Sequence, residues 1–170
     1  MQSTGALELY NLFSDNGILV WLDGGWAVDS HLGKQTRPHE DLDIIIQTKD
    51  VPKIRSLLSE LGYKNVPRDD TREENFVLGN NQGLLVDVHT VHFDDNGDGV
   101  YGNHGAAFPK KCFDGVGEIN GQKVKCISAE QIVIFHTNYT PDENDAKDVL
   151  ALCKKFHIEG PQLYKKYLNN

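Results

Sequence analysis

The chain has 170 residues with 39% hydrophobic and 25% charged content, enough for one compact core with a small appendage but not for two full domains. Its 25 acidic against 17 basic residues give a net charge of −8, which repels a phosphate backbone and favours a small cationic partner or a metal over nucleic acid. No apolar run reaches the length of a membrane span, and the start "MQSTGALELYNLF" lacks the basic and apolar regions of a secretory signal, so a cytoplasmic protein is expected. The three cysteines, Cys112, Cys126 and Cys153, are odd in number and far apart, and read as reduced packing thiols.

Taken in order, residues 4–15 carry Leu7, Tyr10, Leu12 and Phe13 near helical spacing, and Asn16-Gly17 ends that helix. "ILVWL" at 18–22 predicts a short strand, and "GGWAVDSHLG" a turn, a helix and a terminal glycine. "LDIII" at 42–46 predicts a buried strand; residues 51–61 place Ile54, Leu57, Leu58 and Leu61 on one helical face before Gly62. "NFVLGNNQGLLVDVHTVHF" predicts a hairpin closed by "NNQG", and brings the strand candidates before residue 94 to four. Residues 94–105 read as a polar, Gly-rich loop, and "GVGEING" with "QKVKCIS" as a second β-pair. From Ser128 the chain turns helical: "SAEQIVIFHTNY" has a serine cap, and "TPDENDAKDVLALCKKF" is read with Thr140 as cap and Pro141 at the first helical position. A soft boundary near residue 127 divides an α/β core, 1–127, from a helical portion, 128–170, packed on it.

The chemistry gathers in three places. On a strand, Asp41 and Asp43 share one face while Leu42, Ile44 and Ile46 take the other, and two carboxylates so close conflict unless a cation intervenes. Magnesium suits such hard oxygens and is commonly held by one or two carboxylates together with substrate phosphates. Asp87, set between Val86 and Val88, is costly to bury without a partner; if its strand lies beside the first, three carboxylates converge where two metal ions could be held. His89 and His92 fall on opposite faces and cannot serve one site. Gly24 and Gly25, between strand and helix, form a phosphate cradle: backbone amides at the positive end of a helix, with no β-carbon to block approach and with positive φ expected at Gly25.

"GGWAVDSHLGKQTRPHEDLDI" resembles the signature of antibiotic nucleotidyltransferases of the polymerase-β-like superfamily, and "VDVHTVHFDDNGDG" with "KCISAEQIVIFHTNYTPDENDAKD" extends the likeness along most of the chain, closest in kind to the small lincosamide nucleotidyltransferases. The resemblance implies an α+β fold, a mixed sheet with flanking helices. It assigns Asp41, Asp43 and Asp87 to Mg2+ and catalysis, and Gly24, Gly25, Arg37 and His39 to the nucleotide. Lys147 and Asp148 fall on a helix where related enzymes place polar groups. The implied reaction moves AMP from ATP to an antibiotic hydroxyl and releases pyrophosphate, with Asp87 able to take the hydroxyl proton. An acceptor pocket is expected between the sheet and the C-terminal helices, with Trp26, Tyr101 or Tyr139 offering apolar surface. An aminoglycoside acceptor and a protein-modifying enzyme of toxin–antitoxin type are the alternatives. Partners are thus an antibiotic and a nucleoside triphosphate, with no nucleic acid and no membrane; oligomeric state stays open, a homodimer included.

Overall fold

The computed structural model describes residues 1–103 and 105–167. Five helices, α1 (Ser3–Asp15), α2 (Gly24–Leu32), α3 (Val51–Glu60), α4 (Ala129–Phe135) and α5 (Glu143–Phe156), accompany nine strands. The strands are β1 (Val20–Leu22), β2 (Asp41–Gln47), β3 (Lys64–Val66), β4 (Asn75–Gly79), β5 (Leu85–Phe93), β6 (Gly99–Tyr101), β7 (Ala106–Phe108), β8 (Gly115–Ile119) and β9 (Gln122–Cys126). They form one mixed sheet in the order β3-β4-β5-β2-β1-β9-β8, with β6 added to β5 and β7 to β6. The pairs β2/β5 and β1/β9 are parallel and the others antiparallel. This is the α+β mixed sheet with flanking helices that the sequence implies.

Local chemistry explains most boundaries. Asn16 donates its side-chain amide to Leu12 O and Gly17 takes φ +73°, closing α1. The β4–β5 turn is held by Asn80 Oδ1, which accepts from the backbone N–H of Gln82 and of Leu84. Two expectations need correction. Thr140 and Pro141 lie outside α5, because Asp142 accepts from the Asn144 and Asp145 amides while Asp145 accepts from the Asp142 amide, a reciprocal cap that sets the start two residues later. The 94–105 segment is not all loop: β6 pairs with the end of β5, and His104 lies outside the described residues. Five strands rather than four precede residue 94, since Lys64–Val66 also pairs.

The core is a continuous cluster around Leu22, Leu42, Ile44, Ile45, Ile46, Val86 and Val88, all fully buried. Leu61 is excluded from it and stays exposed. Helix α2 packs against β2 and β8, and α4 and α5 pack against α2 in turn. Gly117 allows the close packing of α2 on β8: a β-carbon there would fall 2.6 Å from the Ser30 carbonyl carbon. The second half of α2 is thereby held on β8, while its first residue, Gly24, lies against Asp43 of β2. Among the described residues no helix is long and apolar enough to cross a membrane. The three cysteines are free and buried.

Candidate active site

Parallel pairing of β2 with β5 sets Asp43 opposite Asp87 and Asp41 opposite Leu85, so the three predicted acids come to one end of two neighbouring strands. A fourth, Asp23, was not foreseen. It precedes α2, accepts from the Gly24 N–H at 2.8 Å, and donates its own N–H to Asp43 O at 2.9 Å. Burial pushes the Asp43 carboxyl well above the usual carboxylate range, and the charges of Asp41, Asp23 and Asp87 push it further. Asp87 is raised as well, mainly by burial, with the nearby His89 opposing the shift. Its Oδ1 is buried without a hydrogen-bond partner, 3.8 Å from His89 Nε2. Among the described residues no three His, Cys, Asp or Glu side chains are drawn together closely enough to hold a metal ion by themselves. An open set of mutually repelling carboxylates with an orphaned oxygen nevertheless has the chemistry a hard cation satisfies when a substrate brings the remaining oxygens.

The double glycine serves close packing on both residues. Gly24 has φ +54°, and a β-carbon on it would stand 2.7 Å from the Asp43 carboxyl carbon. On Gly25 it would stand 2.5 Å from His39 Cε1 and 2.8 Å from Arg37 Nη2. The left-handed conformation therefore belongs to Gly24 rather than Gly25, and the missing side chains make room for residues of the site itself. Gly25 and Trp26, in the first turn of α2, have amides with no acceptor inside the helix.

Arg37 reaches across to α5, where Nη2 and Nε donate to Asp148 Oδ2 at 2.9 and 3.3 Å, and Nη1 donates to His39 Nδ1 at 3.1 Å. His39 Nε2 lies 2.5 Å from Asp29 Oδ2, and Thr36 Oγ1 donates to Asp29 Oδ1 at 2.5 Å. Burial raises the Asp148 carboxyl while Arg37 opposes that shift. Lys147 is exposed and outside this chain of bonds.

These groups border a cleft of about 360 Å³ with Asp23, Asp43, Arg37 and His89 on the sheet side and Phe135, His136, Tyr139 and Asp145 on the helical side. Tyr139 donates to Asp145 Oδ1 at 3.0 Å. Of the three aromatics expected at an acceptor pocket, only Tyr139 lines this cleft. Trp26 is 1% exposed and packs at a tilt against His39, with ring centroids 4.6 Å apart. Tyr101 is engaged with His89, its oxygen 3.1 Å from Nδ1. His92 is exposed, away from Asp87.

Residues 6–152 match a family described as aminoglycoside-2''-adenylyltransferase. The chain belongs to that family. A lincosamide resistance protein of Staphylococcus haemolyticus is 32% identical over 147 residues, 85% of this chain and 89% of the relative. The 2''-aminoglycoside nucleotidyltransferase of Escherichia coli is 31% identical over only 48 residues, 28% of this chain and 27% of the relative. Among solved structures, the lincosamide antibiotic adenylyltransferase LnuA with lincomycin bound superposes with TM-score 0.79 at 28% identity, covering 89% of this chain and 96% of the other. ANT(2")-Ia in complex with adenylyl-2"-tobramycin gives TM-score 0.74 at 20% identity over 99% and 97% of the two chains, a likeness of fold.

This adenylyltransferase-family chain is thus a nucleotidyltransferase whose sheet brings together every acid that the motif points to. Sequence reasoning missed Asp23, Asp29, Asp145 and His136. The first two carry faint signals: Asp23 stands where a cap belongs, and Asp29 interrupts the apolar run of α2 after Ala27 and Val28.

Proposed function

We propose that the protein transfers AMP from ATP to a hydroxyl of a lincosamide antibiotic, releases pyrophosphate and so confers resistance. The observation that carries this reading is the in-register placement of Asp43 against Asp87, with Asp41 on the same face, directly under the start of α2. The long match to a lincosamide resistance protein, against the short one to aminoglycoside enzymes, favours the acceptor class. The cleft supports it further, offering Phe135 and Tyr139 with a single helical-side carboxylate, Asp145, where a polycationic aminoglycoside would call for acids spread around its rings.

In this reading the Gly25 and Trp26 amides and the Arg37 guanidinium hold triphosphate oxygens at the positive end of α2. Asp41, Asp43 and Asp87 would hold Mg2+, which when bound neutralises phosphate charge and relieves the repulsion among them. The acceptor hydroxyl oxygen bonds to the α-phosphorus, the bond from that phosphorus to the bridging oxygen of the β-phosphate breaks, and pyrophosphate leaves. Asp87 receives the hydroxyl proton, its place in β5 opposite Asp43 setting it at the reacting centre. Positioning and fixed charge supply most of the rate, as in phosphoryl transfer generally. Dependence on cellular ATP agrees with a cytoplasmic location.

Mass spectrometry of reactions with ATP and Mg2+ tests the proposal. Lincomycin or clindamycin should gain one AMP unit with pyrophosphate released, while kanamycin and tobramycin stay unmodified. Efficient modification of the aminoglycosides with lincosamides untouched would overturn the acceptor, and no adduct on any small molecule would favour a protein target.

A further inference from the structure

Asp29 is 2% exposed and sits in α2, six residues after Asp23, where it takes no part in the acid cluster. A carboxylate buried this deeply is costly unless its oxygens are used, and both are, by Thr36 Oγ1 and by His39 Nε2. Arg37 has only donors, so the His39 Nδ1 that faces its Nη1 at 3.1 Å is an acceptor, and the imidazole hydrogen lies on Nε2, donated to Asp29. Asp29 thus selects the tautomer that presents a lone pair to Arg37.

The guanidinium is fixed on both edges. Asp148 takes one N–H of Nε and one of Nη2, while His39 and the Pro38 carbonyl, 3.4 Å away, take those of Nη1. Among the described residues these bonds account for four of five N–H groups, and the fifth is on Nη2, the atom that lies against Gly25. The group left to meet a ligand therefore stands beside the amides of the first turn of α2.

We infer that Asp29 is a positioning residue for nucleotide binding: acting through His39, it aims Arg37 at the triphosphate without touching substrate. The inference rests on the reading that Arg37 binds triphosphate. A carboxamide at position 29 offers N–H as readily as C=O, so the tautomer is no longer imposed and Arg37 loses a directed partner.

Calorimetry with ATP and Mg2+ on the full chain, with steady-state kinetics on lincomycin, tests this. Asp29→Asn should weaken ATP binding about tenfold, close to the loss of one charge-assisted hydrogen bond, and raise KM for ATP while KM for lincomycin stays within about twofold. His39→Asn places its carboxamide near the former Nδ1 and keeps an acceptor for Arg37, whereas His39→Gln reaches toward Asp29 and leaves that place empty. Affinity for ATP should therefore fall further in His39→Gln than in His39→Asn, and adding Asp29→Asn to His39→Asn should cost little more. Unchanged ATP affinity in Asp29→Asn overturns the inference, as does an equal loss in both His39 variants or a fall in affinity for both substrates together with thermal stability. If Arg37→Gln leaves ATP affinity intact, the premise about Arg37 fails instead. If the wild type binds ATP but modifies no lincosamide, the acceptor reading fails while the ATP comparison among variants still decides the role of Asp29.

Discussion

Replacing Asp43 with Asn keeps the shape of the side chain and removes one charge from a cluster of four. In parallel register, residues 43 and 87 sit on strands about 4.8 Å apart, and two unit charges about 5 Å apart at an effective dielectric near 20 repel by about 3 kcal/mol. Asp43 avoids part of that cost by holding a proton, because its folded-state pKa is raised. The net gain from Asp43→Asn in chelator at neutral pH is therefore about 1–2 kcal/mol, or roughly 2–8 °C in Tm for a chain of this size. A raised carboxylate pKa means that stability is lost as pH rises from the ordinary carboxylate range through the raised value, so the advantage of the variant should shrink as pH falls toward 4. Added Mg2+ should raise the Tm of the wild type and narrow the gap, since binding to the folded state alone stabilises it by mass action. Turnover should fall by about a thousandfold or more, as expected when a centre of electrostatic stabilisation is lost. Thermal scans in chelator and in Mg2+ at several pH values give the answer. A lower Tm for the variant in chelator, or an equal Mg2+ shift in both proteins, would refute the reasoning.

Two further outcomes follow from close approaches. Gly25→Val drives a side chain into the space of His39 and Arg37, so calorimetry should show ATP affinity in Mg2+ reduced tenfold or more in a folded protein; unchanged affinity would remove the double glycine from the nucleotide site. Gly117→Ala presses β8 against the backbone of Ser30 and should cost about 1–3 kcal/mol by chemical denaturation, with KM for ATP unchanged in the fraction that stays folded.

Much of this arrangement was legible because the signals are local. β2 and β5 announce themselves by β-branched runs, and the period of two puts Asp41 and Asp43 on one face before any partner is known. Their adjacency to Asp87 depends on long-range strand pairing, which the motif implied and periodicity alone could not supply. β6 was hidden because three residues inside a Gly-rich segment have too short a pattern to read, and it exists by pairing with the overhang of β5. The start of α5 was misplaced because Thr140-Pro141 matches the usual cap chemistry, while Asp142 succeeds through a reciprocal bond with Asp145 three residues on. Asp29 was overlooked for a different reason: a lone acid in a helix looks solvated until Thr36 and His39, seven and ten residues away, are seen to close over it.

The pairing of Arg37 with Asp148 also limits how such an enzyme can diversify. Asp145 borders the cleft and Asp148, one turn later on α5, holds the guanidinium, so rotating or sliding that helix to suit a new acceptor would drag Arg37 away from Gly25. Changes of acceptor are freer along Phe135 to Tyr139, at the end of α4 and the turn after it, where the side chains bond to Asp145 and within the turn rather than to Arg37. Selection for a new antibiotic should accordingly accumulate substitutions in that turn while α5 keeps its register.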